Sequence, residues 1–241
     1  MPMLSLLKRI RTDRTSARCS AVIAAAGTSS RMGGEDKLFI DINGKPVLAH
    51  ALGAFEACSY IDEIIIVSRH ESISLISDIC KEYSITKAAK IIFGGDSRLK
   101  SVLNGVLAVS DTAELIAIHD GARPCIELEI IIETINAAKK HHAAAPAIPI
   151  TSTVKKVRNN TIIETVDRSD LYEIQTPQVF DADLIKAALT NADNKSIDVT
   201  DDCRAVELIG GSVHITSGSR SNIKLTTGED IAIARSILEG G

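Results

Sequence analysis

An apolar run over residues 19–26 opens without a break into Gly27-Thr28-Ser29-Ser30-Arg31-Met32-Gly33-Gly34-Glu35-Asp36-Lys37. A short apolar run that meets glycine reads as a buried strand, and the small, hydroxyl-rich segment after it reads as loop rather than helix. Gly27, Gly33 and Gly34 permit positive φ and leave backbone N–H groups to face an anion. Arg31 can fork across phosphate oxygens, and Lys37 can set a point charge on a phosphorus undergoing substitution. The pattern therefore suits a polyphosphate, although a surface loop merely rich in Gly and Ser has the same composition. It lacks the Gly-Lys-Ser/Thr of a Walker A loop, and Gly27 and Gly33 stand too far apart for G-x-G-x-x-G. A nucleotide held here is cradled in some other way.

Downstream, β-rich runs alternate with helical patterns, which predicts an α/β fold: a Rossmann-like, mostly parallel sheet with helices on both faces. Strands are expected at residues 21–25, 63–67, 89–93, 115–119, 143–148 and 212–216. Leu99, Val102, Leu103, Val106 and Leu107 form one amphipathic stripe, and Leu128, Ile131, Ile132 and Ile135 another. Further helices are expected over 46–58 and 181–191, with a last one starting at Gly228-Glu229-Asp230. One region breaks the alternation: two short strands over 153–157 and 162–166 flank the turn-prone pair Asn159-Asn160. They predict a hairpin that stands off the sheet. Isolated hairpins are marginal in water, so a second subunit is its natural support.

Ligands of open parallel sheets bind at the carboxyl ends of the strands. Beside the first loop, Gly94-Gly95-Asp96-Ser97-Arg98 follows one strand, with Ser101 a helical turn on, and His119-Asp120-Gly121-Ala122-Arg123-Pro124 ends another. Asp120 can bind Mg²⁺, which prefers one or two carboxylates plus phosphate oxygens, or it can belong to an Asp-Gly turn with a structural ion pair. His119 can be a base, but its place in the turn suits a structural hydrogen bond better. Thr176-Pro177-Gln178, Thr200-Asp201-Asp202 and Asn222-Ile223-Lys224 are weaker signals, the second being equally a helix N-cap. His141-His142 lacks metal spacing and reads as a solvated helix end.

The 241 residues suffice for one sizeable core and are read as one domain over 21–241, with the arm at about 151–168. A net charge of −4 argues against general nucleic-acid binding. No aliphatic run approaches the ~20 residues that cross a bilayer. Five cysteines, without C-x-x-C spacing and odd in number, suggest neither zinc nor a disulfide framework and fit a reducing, cytoplasmic compartment. Residues 1–20 form a basic extension, expected to be disordered, in which Lys8, Arg9, Arg11, Arg14 and Arg18 face Asp13 alone. It has the style of an organelle transit peptide, and a plain basic tail or a misassigned start explains it as well.

From about Ala21 onward, AAAGTSSRMGGEDK, FGGDSR, HDGARP, TVDRSDLYEIQTPQVF, VTDDC and NIKLTT occur in this order. Together they resemble the CTP-dependent sugar- and polyol-phosphate nucleotidyltransferase family, nearest its methylerythritol-phosphate branch. The resemblance implies transfer of a cytidylyl group from CTP to 2-C-methyl-D-erythritol 4-phosphate with release of pyrophosphate, a step of non-mevalonate isoprenoid synthesis. It implies Arg31, Lys37, Asp120, Arg123 and Lys224 as catalytic residues, with Asp120 on Mg²⁺. Ala25, Ala26, Gly27, Gly95, Asp96 and Ser101 would hold the nucleotide. Thr153, Arg168, Thr176, Thr200 and Lys224 would hold the acceptor, Thr153 and Arg168 being delivered by the hairpin arm of a partner in a homodimer.

Three positions depart from the family pattern. Asp36 stands where Pro often precedes the lysine, which bears on the loop's rigidity more than its chemistry; Gly121 replaces Ala, and Ser221 an Asp found in some members. A sister enzyme acting on ribitol 5-phosphate is the alternative within the fold, and Asp167-Arg168-Ser169-Asp170-Leu171-Tyr172 favours the methylerythritol branch. A non-catalytic nucleotide-binding regulator is the alternative of another class; the retained charges at Arg31, Lys37, Asp120, Arg123 and Lys224 speak against it.

Overall fold

The computed structural model describes residues 17–27 and 36–240. Arg31 and most of the glycine-rich loop lie outside the described residues, as do residues 1–16. The first strand, β1 (Cys19–Ala25), begins where the apolar run begins, two residues before the 21–25 core expected for it. Backbone pairing is the reason: the Arg18 carbonyl accepts Leu115 N–H, and Cys19 and Ser20 are buried.

A two-residue ladder, β2 (Asp41–Ile42) with β3 (Lys45–Pro46), leads into α1 (Val47–Ala57), and β4 (Ile61–Ser68) follows. Next come α2 (Ile73–Glu82), β5 (Ala88–Phe93), α3 (Arg98–Ala108), β6 (Leu115–Asp120), α4 (Leu128–His141) and β7 (Ala143–Pro149). The hairpin is β8 (Lys155–Arg158) with β9 (Thr161–Thr165), and beyond it lie β10 (Tyr172–Ile174), β11 (Gln178–Asp181), α5 (Ala182–Asn194), α6 (Asp202–Leu208), β12 (His214–Ser217) and α7 (Gly228–Glu239).

The eight-stranded sheet runs β10-β7-β11-β6-β1-β4-β5, with β12 added beside β7. Pairs β1–β4, β1–β6, β4–β5 and β7–β12 are parallel, while β11 runs antiparallel between β6 and β7, and β10 antiparallel to β7. Side chains alternate strictly. Ala21, Ile23, Ile64 and Ile66 face α1, α2 and α4, where Leu48, Phe55, Ile76 and Ile131 are buried. Val22, Ile65, Val67, Ile116 and Ile118 face α3, α5 and α6, against Val102, Val106, Ile185 and Val206. This period of two, buried on both faces, is why these strands read as unbroken aliphatic runs. A third, smaller cluster joins Ile42 and Val47 to Leu225 and α7.

The helix starts follow local chemistry. Ser97 Oγ accepts from Lys100 N at the head of α3, Asp181 Oδ1 accepts from Asp183 N and Leu184 N at α5, and Thr227 with Asp230 closes a capping box at α7. In the hairpin, Asn159 and Asn160 both take positive φ, 48° and 60°, as a tight two-residue turn requires. The hairpin pairs with no strand of the main sheet among the described residues. All five cysteines are unpaired, and no described helix is long and apolar enough to cross a membrane.

Candidate active site

Because β5, β4, β1 and β6 are parallel, their carboxyl ends share one edge of the sheet, where two adjoining cavities open. The first, about 280 Å³, is lined by Ala26, Gly27, Gly95, Asp96, Ser97 and Ser101 among others. The second, about 200 Å³, is lined by Gly27, Lys37, Leu38, Asp120, Ala122 and Lys224. Ala24, Gly27 and Arg98 border both.

Glycine makes the first cavity possible. A Cβ on Gly94 would lie 2.7 Å from the Ala26 Cβ and 2.8 Å from Ser101 Oγ, so only glycine lets the loop after β5 lie against the end of β1. Ser101 is buried, and its Oγ accepts Gly95 N–H at 3.0 Å. Asp96 is exposed and pairs loosely with Lys100, at 3.4 Å. Ala25 is buried in β1.

Charge dominates the second cavity. Lys224 Nζ lies 2.7 Å from Asp120 Oδ2, and Lys37 Nζ donates to the Leu225 carbonyl at 2.8 Å. Burial pushes the Asp120 carboxyl up, but Lys224, Arg98 and Arg123 outweigh it and hold the group below the ordinary carboxylate range. Asp120 thus stays an anion among cations. The base of the Lys37 segment is fixed without proline: Asp36 Oδ1 accepts Leu38 N–H at 3.2 Å, and its Oδ2 is paired with Arg69.

Beneath these cavities runs a buried hydrogen-bond chain. Asp120 N–H donates to Thr176 Oγ1 at 3.2 Å, the Thr176 hydroxyl donates to His119 Nδ1 at 2.9 Å, and His119 Nε2–H donates to the Arg123 carbonyl at 3.3 Å. His119 is fully buried, and burial pushes its imidazole down to about 4, keeping it neutral. Its role is the structural one its position suggested. Arg123 is buried too, with Nη1 donating to the Asn222 carbonyl at 2.6 Å and Nε 3.9 Å from Asp120 Oδ2. Thr176 and Arg123 lie under the site and line neither cavity.

Thr200 is exposed just before α6, and it is Asp201 that caps this helix, accepting Arg204 N–H at 3.0 Å. Thr153 and Arg168 are exposed on the segments flanking the hairpin and line neither cavity. His141 ends α4, and His142 takes the left-handed cap with φ 67°.

A sequence model described as 2-C-methyl-D-erythritol 4-phosphate cytidylyltransferase matches residues 19–240. The chain belongs to this family. The enzyme of that name from Halalkalibacterium halodurans is 42% identical over 220 residues, covering 91% of this chain and 96% of the relative. One from Dehalococcoides mccartyi is 41% identical over 225 residues, covering 93% and 97%. Among solved structures, 4-diphosphocytidyl-2C-methyl-D-erythritol synthase from Anaerococcus prevotii superposes with a TM-score of 0.82 at 34% identity, covering 92% of this chain and 96% of that one. This cytidylyltransferase fold is the mostly parallel α/β sheet expected from the sequence.

Sequence reasoning passed over Arg98, which borders both cavities of the cytidylyltransferase domain. Its guanidinium grips Asp202 with two bonds, Nη1–Oδ1 at 3.0 Å and Nη2–Oδ2 at 2.8 Å. Asp202 is fully buried at the head of α6, where Gln178 Oε1 accepts the N–H groups of Asp202 and Cys203, each at 3.0 Å. Both residues lie inside quoted motifs, FGGDSR and VTDDC. No local pattern joins positions more than a hundred residues apart.

Proposed function

We propose that this protein transfers the cytidylyl group of CTP to 2-C-methyl-D-erythritol 4-phosphate, giving CDP-methylerythritol and pyrophosphate. The observation that carries the reading is the pair of adjoining cavities: one lined mostly by small residues together with Asp96 and Arg98, the other by Lys37, Asp120 and Lys224, with Gly27 common to both. The base and ribose occupy the first, against Gly95, Asp96 and Ser101, with Ala25, Ala26 and Gly27 offering backbone groups. The triphosphate crosses at Gly27 toward Lys37, and Arg31 is the second cation that the family's pattern assigns to it. The acceptor lies by Asp120 and Lys224, and its phosphate oxygen attacks the α-phosphorus in line. Lys37 stabilises the charge gathering on the phosphoryl oxygens, so rate comes from positioning and electrostatics, with no covalent intermediate on the protein.

A divalent ion fits this donor set. Asp120 is a carboxylate kept ionised at the cavity wall, and Mg²⁺ characteristically takes one or two carboxylates with phosphate oxygens and water completing its shell. No group of three or more His, Cys, Asp or Glu side chains converges among the described residues, and phosphate oxygens of the nucleotide with water would complete the shell. When bound, such an ion would neutralise triphosphate charge.

The homodimer belongs to the same proposal. Val157, Ile162 and Ile163 on the hairpin are all exposed, and Thr153 and Arg168 flank it away from the cavities of their own chain. An exchanged arm would cover the first three and carry the last two to the partner's acceptor site. Five unpaired thiols suit a reducing, cytoplasmic setting.

The test offers purified protein CTP with methylerythritol phosphate or ribitol phosphate, with Mg²⁺ or excess chelator, and follows pyrophosphate release. Turnover is expected with the first acceptor, with CTP over UTP, and in Mg²⁺ alone. Preference for ribitol phosphate would move the protein to the sister activity, and absence of turnover with either would leave a nucleotide-binding regulator.

A further inference from the structure

Residues 218–225, between β12 and α7, form neither strand nor helix, yet they carry Lys224 to Asp120 and the Leu225 carbonyl to Lys37. We propose that Asn222 is a positioning residue which, with Gln175, clamps this segment beneath the site and so aims Lys224; the proposal rests on the cytidylyl-transfer reading above.

Asn222 is fully buried. Its Nδ2 donates to the Thr176 carbonyl at 2.9 Å and to Gln175 Oε1 at 3.3 Å, while its own carbonyl accepts Arg123 Nη1 at 2.6 Å. Gln175 meets the same segment as a strand would: Nε2 donates to the Ser219 carbonyl at 2.7 Å, and Oε1 accepts Ser219 N–H at 3.2 Å. At the upstream end Gly218 N–H donates to the Ala147 carbonyl at 2.9 Å, and a Cβ there would lie 2.7 Å from Gln175 Oε1. At the downstream end Leu225 is fully buried, and its N–H donates to the Ala122 carbonyl at 2.9 Å.

Between these anchors Arg220 and Lys224 are exposed, and Lys224, its side chain 40% exposed, is the one that meets Asp120. A long ammonium side chain on an unanchored segment would sample many positions, and a displacement of about 1 Å from productive geometry costs on the order of a hundredfold in rate. The clamp also specifies its chemistry. Both groups facing the Asn222 amide nitrogen are oxygens, so the side chain must donate twice. A carboxylate of the same shape donates nothing and opposes both acceptors.

The experiment measures kinetics of Asn222→Asp and Asn222→Ala in the full chain, alone and combined with Lys224→Met, using CTP and methylerythritol phosphate. We expect each single Asn222 variant to lose at least about tenfold in kcat/KM for the polyol phosphate, with the KM for CTP within about threefold of wild type. In the Lys224→Met background the same change is expected to cost less than about threefold, because the group being aimed is gone. Losses that add independently, or Asn222 variants within about twofold of wild type while Lys224→Met is impaired, overturn the clamp and leave the functional reading standing. A Lys224→Met enzyme with wild-type turnover overturns both the clamp and the catalytic assignment of Lys224. If the Asn222 variants do not fold, Gln175→Ala, which frees Ser219 and one Asn222 donor, is judged by the same criteria.

Discussion

At the carboxyl ends of β1, β5 and β6 charged side chains are buried and matched, whereas along the β8–β9 hairpin apolar side chains stand in water. Asp120 leans on Lys224 and Arg123, and Arg98 on Asp202. Val157, Ile162 and Ile163 are 56%, 61% and 53% exposed, and the hairpin's own ion pair, Lys156 with Glu164, is exposed at both ends. Polar groups are the expensive ones to bury and apolar groups the expensive ones to expose, so each region inverts the usual arrangement. The first has internal partners that offset the cost. Among the described residues the second has none, which supports the proposal that another chain covers it.

The largest effect should come from unmatching the buried pair. Arg98→Met leaves the Asp202 carboxylate without its two bonds, and breaking a buried pair on one side costs about 3–5 kcal/mol; denaturant unfolding measures it. A loss below about 1 kcal/mol would mean that the site is not braced in this way.

Lys37→Met is next. It should lose about 10²–10³ in turnover with unchanged folding, the usual loss for one transition-state donor. Mixed with Arg168→Ala chains it sharpens the contrast: if Arg168 serves the opposite subunit, random exchange restores about a quarter of wild-type activity, since one mixed site carries neither lesion. Verified exchange without recovery would confine Arg168 to its own chain.

His119 gives a pH signature. Its folded value of about 4 lies below the unfolded value of 6.5, so the unfolded state binds the extra proton between them. Stability should therefore fall as pH drops from 6.5 toward 4, by about 3 kcal/mol in full, and His119→Gln should flatten that part of the profile. A pH dependence unchanged in the variant would place the titration elsewhere.

The smallest effect belongs to the hairpin. Lys156→Ala should change unfolding free energy by less than about 1 kcal/mol, as exposed pairs do. A larger loss would show that the arm is internally supported and would weaken the case for a partner.

Much of this molecule is legible in its local pattern. The aliphatic strands, the stripes of α3 and α4, the Asn159-Asn160 turn and the starts of α5 and α7 all depend on neighbours within a few residues. The glycines after β1 and β5 marked both walls of the first cavity, because close backbone approach leaves a compositional trace. Other elements leave fainter ones. α2 buries only Ile76 and Ile79, and β11 is four residues long, too short to show a period.

What the sequence by itself determined was the alternation of elements, the faces they bury and the residue types gathered at the strand ends. Local sterics and the placement of apolar side chains suffice for that. Only the tertiary structure decided that β11 enters antiparallel between β6 and β7, that Arg98 meets Asp202, and that Asn222 ties Thr176 and Gln175 to the segment bearing Lys224. Each joins groups distant in the chain whose partners become defined once folding has removed water and left one set of donors facing one set of acceptors.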